Sequence, residues 1–406
     1  MSRGERACPC PAVLVAQRGV AHCRGVCTGS DDTGKDAQVR IAIVGTRGVP
    51  ARYGGFETYA EELGSRLVRM GHEVLVTCRP HLYPDRRSAY LGMSLVYPPS
   101  IPGKATDTLS HTLFSVRAVL AWRPDAVLLC NVANSPVGLV LSIFGVPVVI
   151  NVDGLEWKRK KWGPAGRFYF RCAEAVACAG ARALISDSRA IRDYYLHRFR
   201  RDSAFIPYGA RQVCPLRPGL LERFGLRPGE YFFTASRIEP ENHQDCAVEA
   251  FLSLDTDKCF ALAGAPNPNS SYARKLCAVK DPRVRFLGAV YERDIVDELF
   301  SNAYAYIHGN EVGGTNPALL QAMGAGCAVL ALDVVFNREV LGDAGVYFRL
   351  DAGDLRRAMA WMLQHPDRAQ AFRDAARQRA RLLYDWNRVA EDTERLLRSI
   401  VAGRSA

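Results

Sequence analysis

A glycine-rich turn between a strand and a helix is the clearest candidate for chemistry in this sequence. Residues 304–330 read YAYIHGNEVGGTNPALLQAMGAGCAVL. This pattern predicts a buried strand over 304–308, a turn, a helix over 318–325 and a second apolar strand. A strand that ends in glycines and leads into a helix leaves several backbone N–H groups without partners inside the helix.

The residues of this turn suit an anion-binding site. Gly313 and Gly314 allow backbone conformations that a side chain forbids. Thr315 and Asn316 are favourable helix N-caps, and Pro317 suits the first helical position. The exposed N–H groups and the helix dipole predict binding of a phosphate or another anion. Most strand–turn–helix corners of α/β proteins bind nothing, so the pattern alone leaves both interpretations open.

Two other polar groups follow predicted strands. Arg237 opens the sequence RIEPEN after a predicted strand over 231–235. Glu57 comes shortly after Gly54 and Gly55, behind a predicted first strand over 38–45. Because ligands of parallel sheets bind at the carboxyl ends of the strands, these positions are candidates for a shared cleft.

The elements that must position these residues alternate between strand and helix. The alternation runs through 38–210 and restarts near residue 230, which predicts two Rossmann-like, doubly wound parallel-sheet α/β domains that face a cleft. We expect an acceptor domain over 38–210, a donor domain over 211–385 and a helix over 386–406 that packs back across the junction. Residues 1–37 lack periodicity and are predicted to be a disordered extension.

Composition narrows the classes of partner and compartment. The 406 residues carry a formal charge of +11 with a pI of about 9.1, which favours anionic partners such as nucleotides or acidic lipids. No RNA-binding signature, zinc finger or basic zipper occurs, so nucleic acid is disfavoured. Most of the thirteen cysteines are scattered, several in apolar runs, which indicates reduced thiols and a cytoplasmic protein. No transmembrane helix is predicted.

Cofactor and metal motifs are largely missing from the sequence. The loop after the first strand lacks Gly-x-Gly-x-x-Gly, and Cys78-Arg79-Pro80 offers no acid for a ribose, so a nicotinamide cofactor is disfavoured. No Walker P-loop occurs. The Asp255-Thr256-Asp257 motif precedes a strand and is interpreted as a solvated loop. The cysteines before residue 30 lack a usual zinc spacing, so neither a cofactor nor a metal is predicted.

The motifs taken together resemble the family-4 retaining glycosyltransferases of GT-B fold. The chain is most similar to the bacterial rhamnosyltransferase-like subgroup of polysaccharide biosynthesis, across nearly everything after residue 37. Five stretches carry the resemblance in order: 41–58 (IAIVGTRGVPARYGGFET), 151–163 (NVDGLEWKRKKWG), 205–210 (FIPYGA), 237–242 (RIEPEN) and 308–323 (HGNEVGGTNPALLQAM). Any one of them alone would be a weak signal.

The resemblance implies an activity and a set of site residues. It implies metal-independent transfer of a sugar, with rhamnose favoured, from a nucleotide-diphosphate donor to a lipid-linked or saccharide acceptor. The implied catalytic residues are Asp153 and Arg237. The implied donor-binding residues are Gly54, Gly55, Arg237, Glu241, Asn242, His308, Gly314, Thr315, Asn316 and Gln321. The implied acceptor-binding residues are Arg47, Tyr53, Glu57 and Glu156.

The chain departs from the wider family at three of these positions. Asn242 stands where the family has a lysine, and Gly313 and Gln321 stand where it has two glutamates. The subgroup shares the first two departures but keeps the second glutamate, which holds the nucleotide ribose. Gln321 can hydrogen-bond a ribose hydroxyl, but its amide is uncharged. The substitution Gln321→Glu is therefore expected to hold or improve the affinity for the nucleotide-sugar donor.

Some of these residues have a structural interpretation that the sequence leaves open. Asp153 can be a turn cap before Gly154, His308 a buried strand-end residue, and Glu57 a surface residue of a helix. Residues 157–171 interleave cations with aromatic side chains, which suits attachment to an anionic membrane or a solvated helix face equally. Two alternative functions also remain: a nucleotide-sugar 2-epimerase, and a degenerate binding partner without catalysis.

Overall fold

The computed structural model describes residues 38–52, 54–103, 106–160, 162–213, 218–267 and 269–403. These residues form two β-sheets of eight and six strands, each flanked by helices. This architecture confirms the predicted α/β class with two doubly wound sheets. The predicted extension over 1–37 lies outside the described residues.

The first sheet has the strand order β3-β4-β2-β1-β5-β6-β7-β8. Its strands are β1 (Arg40–Val44), β2 (Glu73–Thr77), β3 (Ala89–Tyr90), β4 (Met93–Val96), β5 (Ala126–Cys130), β6 (Val148–Asn151), β7 (Ala183–Ser186) and β8 (Ala204–Phe205). Its helices are α1 (Gly55–Arg69), α2 (Thr106–Trp122), α3 (Ser135–Ile143), α4 (Pro164–Gly180) and α5 (Arg189–Phe199). The central strands are buried apolar runs because helices cover both faces of the sheet.

One edge of this sheet differs from the prediction. The sequence predicts a single strand over 91–97, whereas β3 and β4 form an antiparallel hairpin. Leu91 and Gly92 connect them with φ values of 48° and 79°. Two consecutive residues with positive φ make the tight turn that matches the twist of paired strands.

The second sheet is parallel throughout, in the order β11-β10-β9-β12-β13-β14. Its strands are β9 (Tyr231–Ala235), β10 (Cys259–Ala263), β11 (Val284–Gly288), β12 (Ala305–His308), β13 (Val329–Leu332) and β14 (Val346–Phe348). Its helices are α6 (Gln244–Leu252), α7 (Ser271–Cys277), α8 (Arg293–Ser301), α9 (Pro317–Gly324), α10 (Val335–Leu341), α11 (Ala352–Gln364) and α12 (Pro366–Leu383). Below, the two sheets with their helices are called the first and second lobes.

The chain crosses between the lobes at two points that lie side by side. The N–H of Ala210 donates to the carbonyl of Tyr384 at 2.6 Å. The last helix, α13 (Trp386–Ala402), then packs against α1 and β5 of the first lobe. Trp386 lies 6.2 Å from Tyr59, between ring centroids, in a core cluster that draws on both lobes.

Several cysteines that lie in apolar runs of the sequence are free thiols inside the protein. Cys78, Cys130 and Cys327 are buried free thiols, and Cys259 is half-buried. Within the described residues, every helix is too short or too polar to cross a bilayer.

Candidate functional site

The loops at the carboxyl ends of the two sheets touch across a closed cleft. A β-carbon placed on Gly154, after β6, would lie 3.0 Å from the Cα of Gly313. A β-carbon on Gly55, which follows Gly54 at the start of α1, would lie 2.9 Å from the Cγ of Pro317. Small residues are needed here because one lobe packs directly on the other.

Helix α9 begins as the sequence predicts. The side-chain oxygen of Asn316 accepts a hydrogen bond from the N–H of Ala318 at 3.1 Å, and Pro317 occupies the first turn. The predicted role of Thr315 as a second cap is wrong, because its side chain bonds to the other lobe instead. The helix ends at Gly324, close to the predicted end.

The two glycines before this helix serve a purpose other than the predicted one. Neither Gly313 nor Gly314 has a positive φ, so the expected unusual backbone is absent at both. A β-carbon on Gly314 would lie 2.0 Å from a carboxylate oxygen of Asp187. Glycine is therefore required at 314 for space against the first lobe.

Asp187 places a carboxylate on the predicted anion-binding turn. Its Oδ2 accepts a hydrogen bond from the N–H of Thr315 at 2.8 Å, and its carbonyl accepts from the Thr315 hydroxyl. The N–H groups of Gly314 and Asn316 have no acceptor among the described residues. A carboxyl group of the protein itself thus occupies the turn that was predicted to bind an external anion.

Burial and a neighbouring carboxylate both raise the pKa of Asp187. The side chain is buried, and the pKa of Asp187 rises to about 8 because of that burial and, second, because of the negative charge of Asp153. Its Oδ1 has no hydrogen-bond partner in the described chain. An ionised carboxylate is costly in such a place.

The sequence places Asp187 and Ser188 before helix α5 as its cap, and Ser188 does occupy the N-cap position, but without a side-chain cap hydrogen bond. Neither side chain bonds to the start of that helix. Glu339 of the second lobe accepts from the N–H of Arg189 and from the hydroxyl of Ser188, both at 2.7 Å. The carboxylate that satisfies the start of α5 therefore comes from the other lobe.

Arg237 lies at the carboxyl end of β9 with its guanidinium in the cleft. The residue is exposed, and its side chain forms no hydrogen bond or ion pair with any described residue. Partial desolvation by the cleft walls and then the positive charge of Arg159 lower the pKa of Arg237. The negative charge of an anion bound here would offset both the desolvation of Arg237 and its repulsion by Arg159.

Asn242 has a backbone role in this loop. Its side-chain NH₂ donates to the carbonyl of Arg237 at 2.7 Å, and Gln244 donates to the same oxygen at 2.8 Å. Asn242 therefore holds the backbone that presents Arg237.

Arg159 links several predicted site residues and was missed by the sequence analysis. Its Nε lies 2.5 Å from the Oε1 of Glu156, and its Nη1 lies 3.9 Å from Glu241 of the other lobe. Glu241 is buried, and no described residue donates a hydrogen bond to its carboxylate. Because the charge of Asp153 also acts on Arg159, the structure gathers Asp153, Glu156, Glu241 and Arg237 around one arginine.

Asp153 occupies a strained turn at the end of β6. Its φ is 58°, in the left-handed region that aspartate and asparagine tolerate best among residues with a side chain. Its N–H donates to the side-chain oxygen of Asn151 at 3.1 Å. The side chain is half-buried, at the side of the cleft that faces the second lobe.

His308 does not reach the cleft. It is fully buried, and its Nδ1 lies 3.2 Å from the hydroxyl of Tyr306. Burial lowers the pKa of His308 to about 3, so the ring is neutral at physiological pH. The interpretation as a buried strand-end histidine fits this environment.

Glu57 is a buried residue of helix α1, not a surface residue. Its buried carboxylate accepts a hydrogen bond from the backbone N–H of Arg47 at 2.9 Å. Glu61 holds the N–H of Ala51 in the same manner at 2.7 Å. These carboxylates order the loop after β1. Tyr53, predicted to contact the acceptor, lies outside the described residues.

The side chain of Gln321 is hydrogen-bonded to a neighbouring carboxylate. Its amide donates to the Oδ1 of Asp297 at 3.3 Å, and Asp297 also pairs with Arg211 at the lobe crossing. Burial raises the pKa of Asp297 above its ordinary value.

This contact changes the expected result of Gln321→Glu. The new carboxylate would face Asp297 in a partly buried site, so we expect a loss of about 1 kcal/mol in unfolding free energy at pH 7. The loss should shrink at pH 5, where one of the two carboxyls takes up a proton. Thermal unfolding at both pH values measures it.

A matched control and a rescue sharpen this prediction. Gln370 and Asp374 form a similar but exposed pair at 3.2 Å, so Gln370→Glu should change stability little. Adding Asp297→Asn to Gln321→Glu should restore stability. A Gln321→Glu protein as stable as its parent at pH 7 would contradict the repulsion.

A cavity of about 590 Å³ opens between the lobes, beside the charged residues around Arg159. Lys158, Arg167 and Arg171 line one side, and apolar residues 334–336 line the other. Arg171 stacks 4.4 Å above the ring of Trp157. Glu311 also lines the cavity, but its carboxylate lies within ion-pair distance of Lys160 and His243. None of the three lining cations forms an ion pair within the described chain, so the cavity is suited to an anionic and partly apolar ligand.

Two family models match the chain in order. A glycosyl transferase 4-like domain matches residues 54–209, and a glycosyl transferases group 1 domain matches residues 229–365. Alpha-maltose-1-phosphate synthase of Mycolicibacterium smegmatis is 24% identical over 401 residues, which are 90% of this chain and 100% of that protein.

Solved structures share the fold over most of the chain. Sucrose-phosphate synthase from Thermosynechococcus elongatus superposes with a TM-score of 0.76 at 19% identity, over 89% of this chain and 99% of its own. HepE of Anabaena in complex with UDP and glucose superposes with a TM-score of 0.71 at 16% identity, over 89% of this chain and 100% of its own.

Proposed function

We propose a donor, an acceptor and a chemistry for this chain, which belongs to the glycosyltransferases of GT-B fold. It takes a sugar from a nucleotide-diphosphate donor, and the sugar we propose is rhamnose, carried by dTDP or a similar nucleotide. The acceptor is a lipid-linked or saccharide unit of a cell-surface polysaccharide. Transfer proceeds with retention of configuration and without a metal ion.

The observation that carries the proposal is the unpaired guanidinium of Arg237 in the cleft. It follows β9, and the anion-binding turn at Gly314–Asn316 follows β12, which is hydrogen-bonded to β9 in the same sheet. The donor diphosphate lies between the two and accepts from Arg237 and from the N–H groups of Gly314 and Asn316. These donors face the charge that grows as the sugar leaves.

The transfer itself needs little from side chains. The bond between the anomeric carbon and the diphosphate oxygen breaks while the acceptor oxygen bonds to the same carbon from the same face. The acceptor proton passes to the departing phosphate oxygen. Asp153 lies at the strand end nearest the reacting sugar and stabilises positive charge on its ring. The protein mainly positions the reactants and stabilises charge.

The relatives support a nucleotide-sugar donor. The HepE structures of Anabaena were determined with UDP, UDP-glucose, and UDP with glucose. Other similar proteins are synthases whose names describe phosphorylated sugars. A donor panel for this chain therefore includes UDP-glucose beside dTDP-rhamnose.

Incubation with this panel and a polyprenyl diphosphate-linked sugar tests the proposal. A glycosylated lipid whose anomeric configuration, read by NMR, equals that of the donor sugar supports it, and the opposite configuration contradicts retention. An isomerised donor sugar without lipid product indicates a 2-epimerase. Donor binding without turnover indicates a degenerate partner, for which the substitutions at Gln321 and Asn242 provide a reason.

The acceptor side carries a candidate membrane face. Of the cations over 157–171, Lys160 pairs with Glu311 of the second lobe at 3.4 Å, and Arg159 turns into the cleft. Lys158, Arg167 and Arg171 remain exposed, and Phe168 keeps 70% of its surface accessible. This subset supports attachment to an anionic bilayer near the acceptor cavity.

We therefore expect the protein to float with liposomes that contain anionic lipid and to release as salt is raised, because the attraction is electrostatic. Phe168→Ser combined with Arg167→Glu should abolish flotation. Leu350→Ser combined with Arg356→Glu makes an equivalent change on the second lobe, where Leu350 is 51% exposed, and should leave flotation intact. Flotation that ignores salt, or none, would contradict the membrane face.

A further inference from the structure

Two carboxylates cross the cleft in opposite directions, and each satisfies backbone N–H groups of the other lobe. Asp187 of the first lobe reaches the turn before α9 through the N–H of Thr315. Glu339 of the second lobe reaches the start of α5 through the N–H of Arg189. The turn before α9 and the start of α5 thus each receive a carboxyl group from the opposite lobe.

Asp187 occupies a backbone N–H group that the diphosphate of the sugar nucleotide would need as a hydrogen-bond donor. A diphosphate on the turn would accept from the same N–H of Thr315, and the carboxylate packs directly on Gly314. The carboxyl group and a phosphate cannot both occupy this small buried site, and any charge on Asp187 would also repel the phosphate. Donor binding to the full turn therefore requires Asp187 to withdraw.

We infer that Asp187 is a built-in competitor of the donor diphosphate, and that Asp187 and Glu339 together hold the cleft closed. This autoinhibitory contact rests on the proposed donor site. Before the donor binds, the carboxylate fills the turn. The arriving diphosphate replaces it and frees the lobes at this contact.

The contact is built to be exchangeable. Asp187 uses one of its two oxygens on the turn, while its Oδ1 is buried without a partner. The N–H groups of Gly314 and Asn316 stay unused in the same state. A phosphate has enough oxygens for all three N–H groups, so it satisfies donors that the carboxylate leaves unpaired.

Titration with UDP tests the competition. Asp187→Asn removes the charge and nearly keeps the shape, and Asp187→Ala removes both. We expect each variant to bind UDP about tenfold more tightly than the parent, because the acidic acceptor that the diphosphate must displace from the turn is gone. Glu339→Gln loosens the contact without touching the turn, so a smaller gain of about two- to threefold is expected. Asp202→Asn, at an exposed carboxylate of the same lobe, should bind as the parent does.

Hydrogen exchange adds a measurement that needs no ligand. In Asp187→Ala without UDP, the peptide that contains Thr315 should exchange faster than in the parent, and UDP should restore its protection. Unchanged or weaker UDP binding to Asp187→Asn and Asp187→Ala, with a parent that binds UDP, would overturn the competition and leave the donor site standing. No binding of any nucleoside diphosphate to parent or variants would overturn both.

Discussion

Arg237→Ala should weaken nucleoside diphosphate binding by about 1.5–3 kcal/mol, which is roughly ten- to a hundredfold in Kd. The guanidinium has no carboxylate partner in the described chain, so nothing competes with a diphosphate for it. Its charge-assisted hydrogen bonds are stronger than neutral ones, and they strengthen as the leaving diphosphate gains charge. We therefore expect kcat to fall as well as affinity.

Calorimetric titration with UDP and dTDP measures the first effect, and turnover with the active donor measures the second. Arg227→Ala is the matched control, because Arg227 belongs to the same lobe and its side chain is 80% exposed. The melting temperature of Arg237→Ala should equal that of the parent, since an unpaired cleft arginine adds little to the core. Equal affinity of Arg237→Ala and parent would remove Arg237 from the donor site.

Gly324→Ala should reduce the free energy of unfolding by about 2–3 kcal/mol. A β-carbon at this position would lie 1.9 Å from the carbonyl oxygen of Arg211, where the chain crosses between the lobes. Alanine gains at most about 1 kcal/mol in helix propensity over glycine. The backbone clash is larger, because the carbonyl of the crossing segment cannot rotate away as a side chain can.

Urea unfolding monitored by circular dichroism measures this loss. Gly219→Ala is the control, because Gly219 is exposed, has no neighbour within 4 Å of the added carbon, and lacks a positive φ. Its stability should stay within about 0.5 kcal/mol of the parent. A Gly324→Ala protein as stable as the control would mean that α9 and the crossing move apart freely.

The elements were predictable where local signals were strong. Strand β9 has the bounds that its apolar run predicts, and helix α9 lies within one residue of its predicted bounds. The hairpin of β3 and β4 was missed because Leu91 takes a positive φ that leucine rarely adopts. Only the pairing of the two strands makes that turn favourable.

The site was predictable only in part. Strand-end position identified Arg237 and the turn before α9, since parallel sheets place such residues at one edge. Asp187, Glu339 and Arg159 were missed, because their partners lie in the opposite lobe and no local pattern encodes that contact. Asp187 does end a strand, and applying the strand-end rule to β7 would have found it. The roles of the site residues remain predictions.

Helix α13 has a consequence for how the chain is made. Its residues Trp386, Val389, Leu397 and Ile400 are buried, and the helix packs on α1 and β5. The first lobe therefore completes its core with a segment that follows the whole second lobe in the chain. Throughout synthesis of the second lobe, the apolar surface that receives α13 stays uncovered, so the first lobe is exposed to aggregation for longer than its early place in the chain suggests.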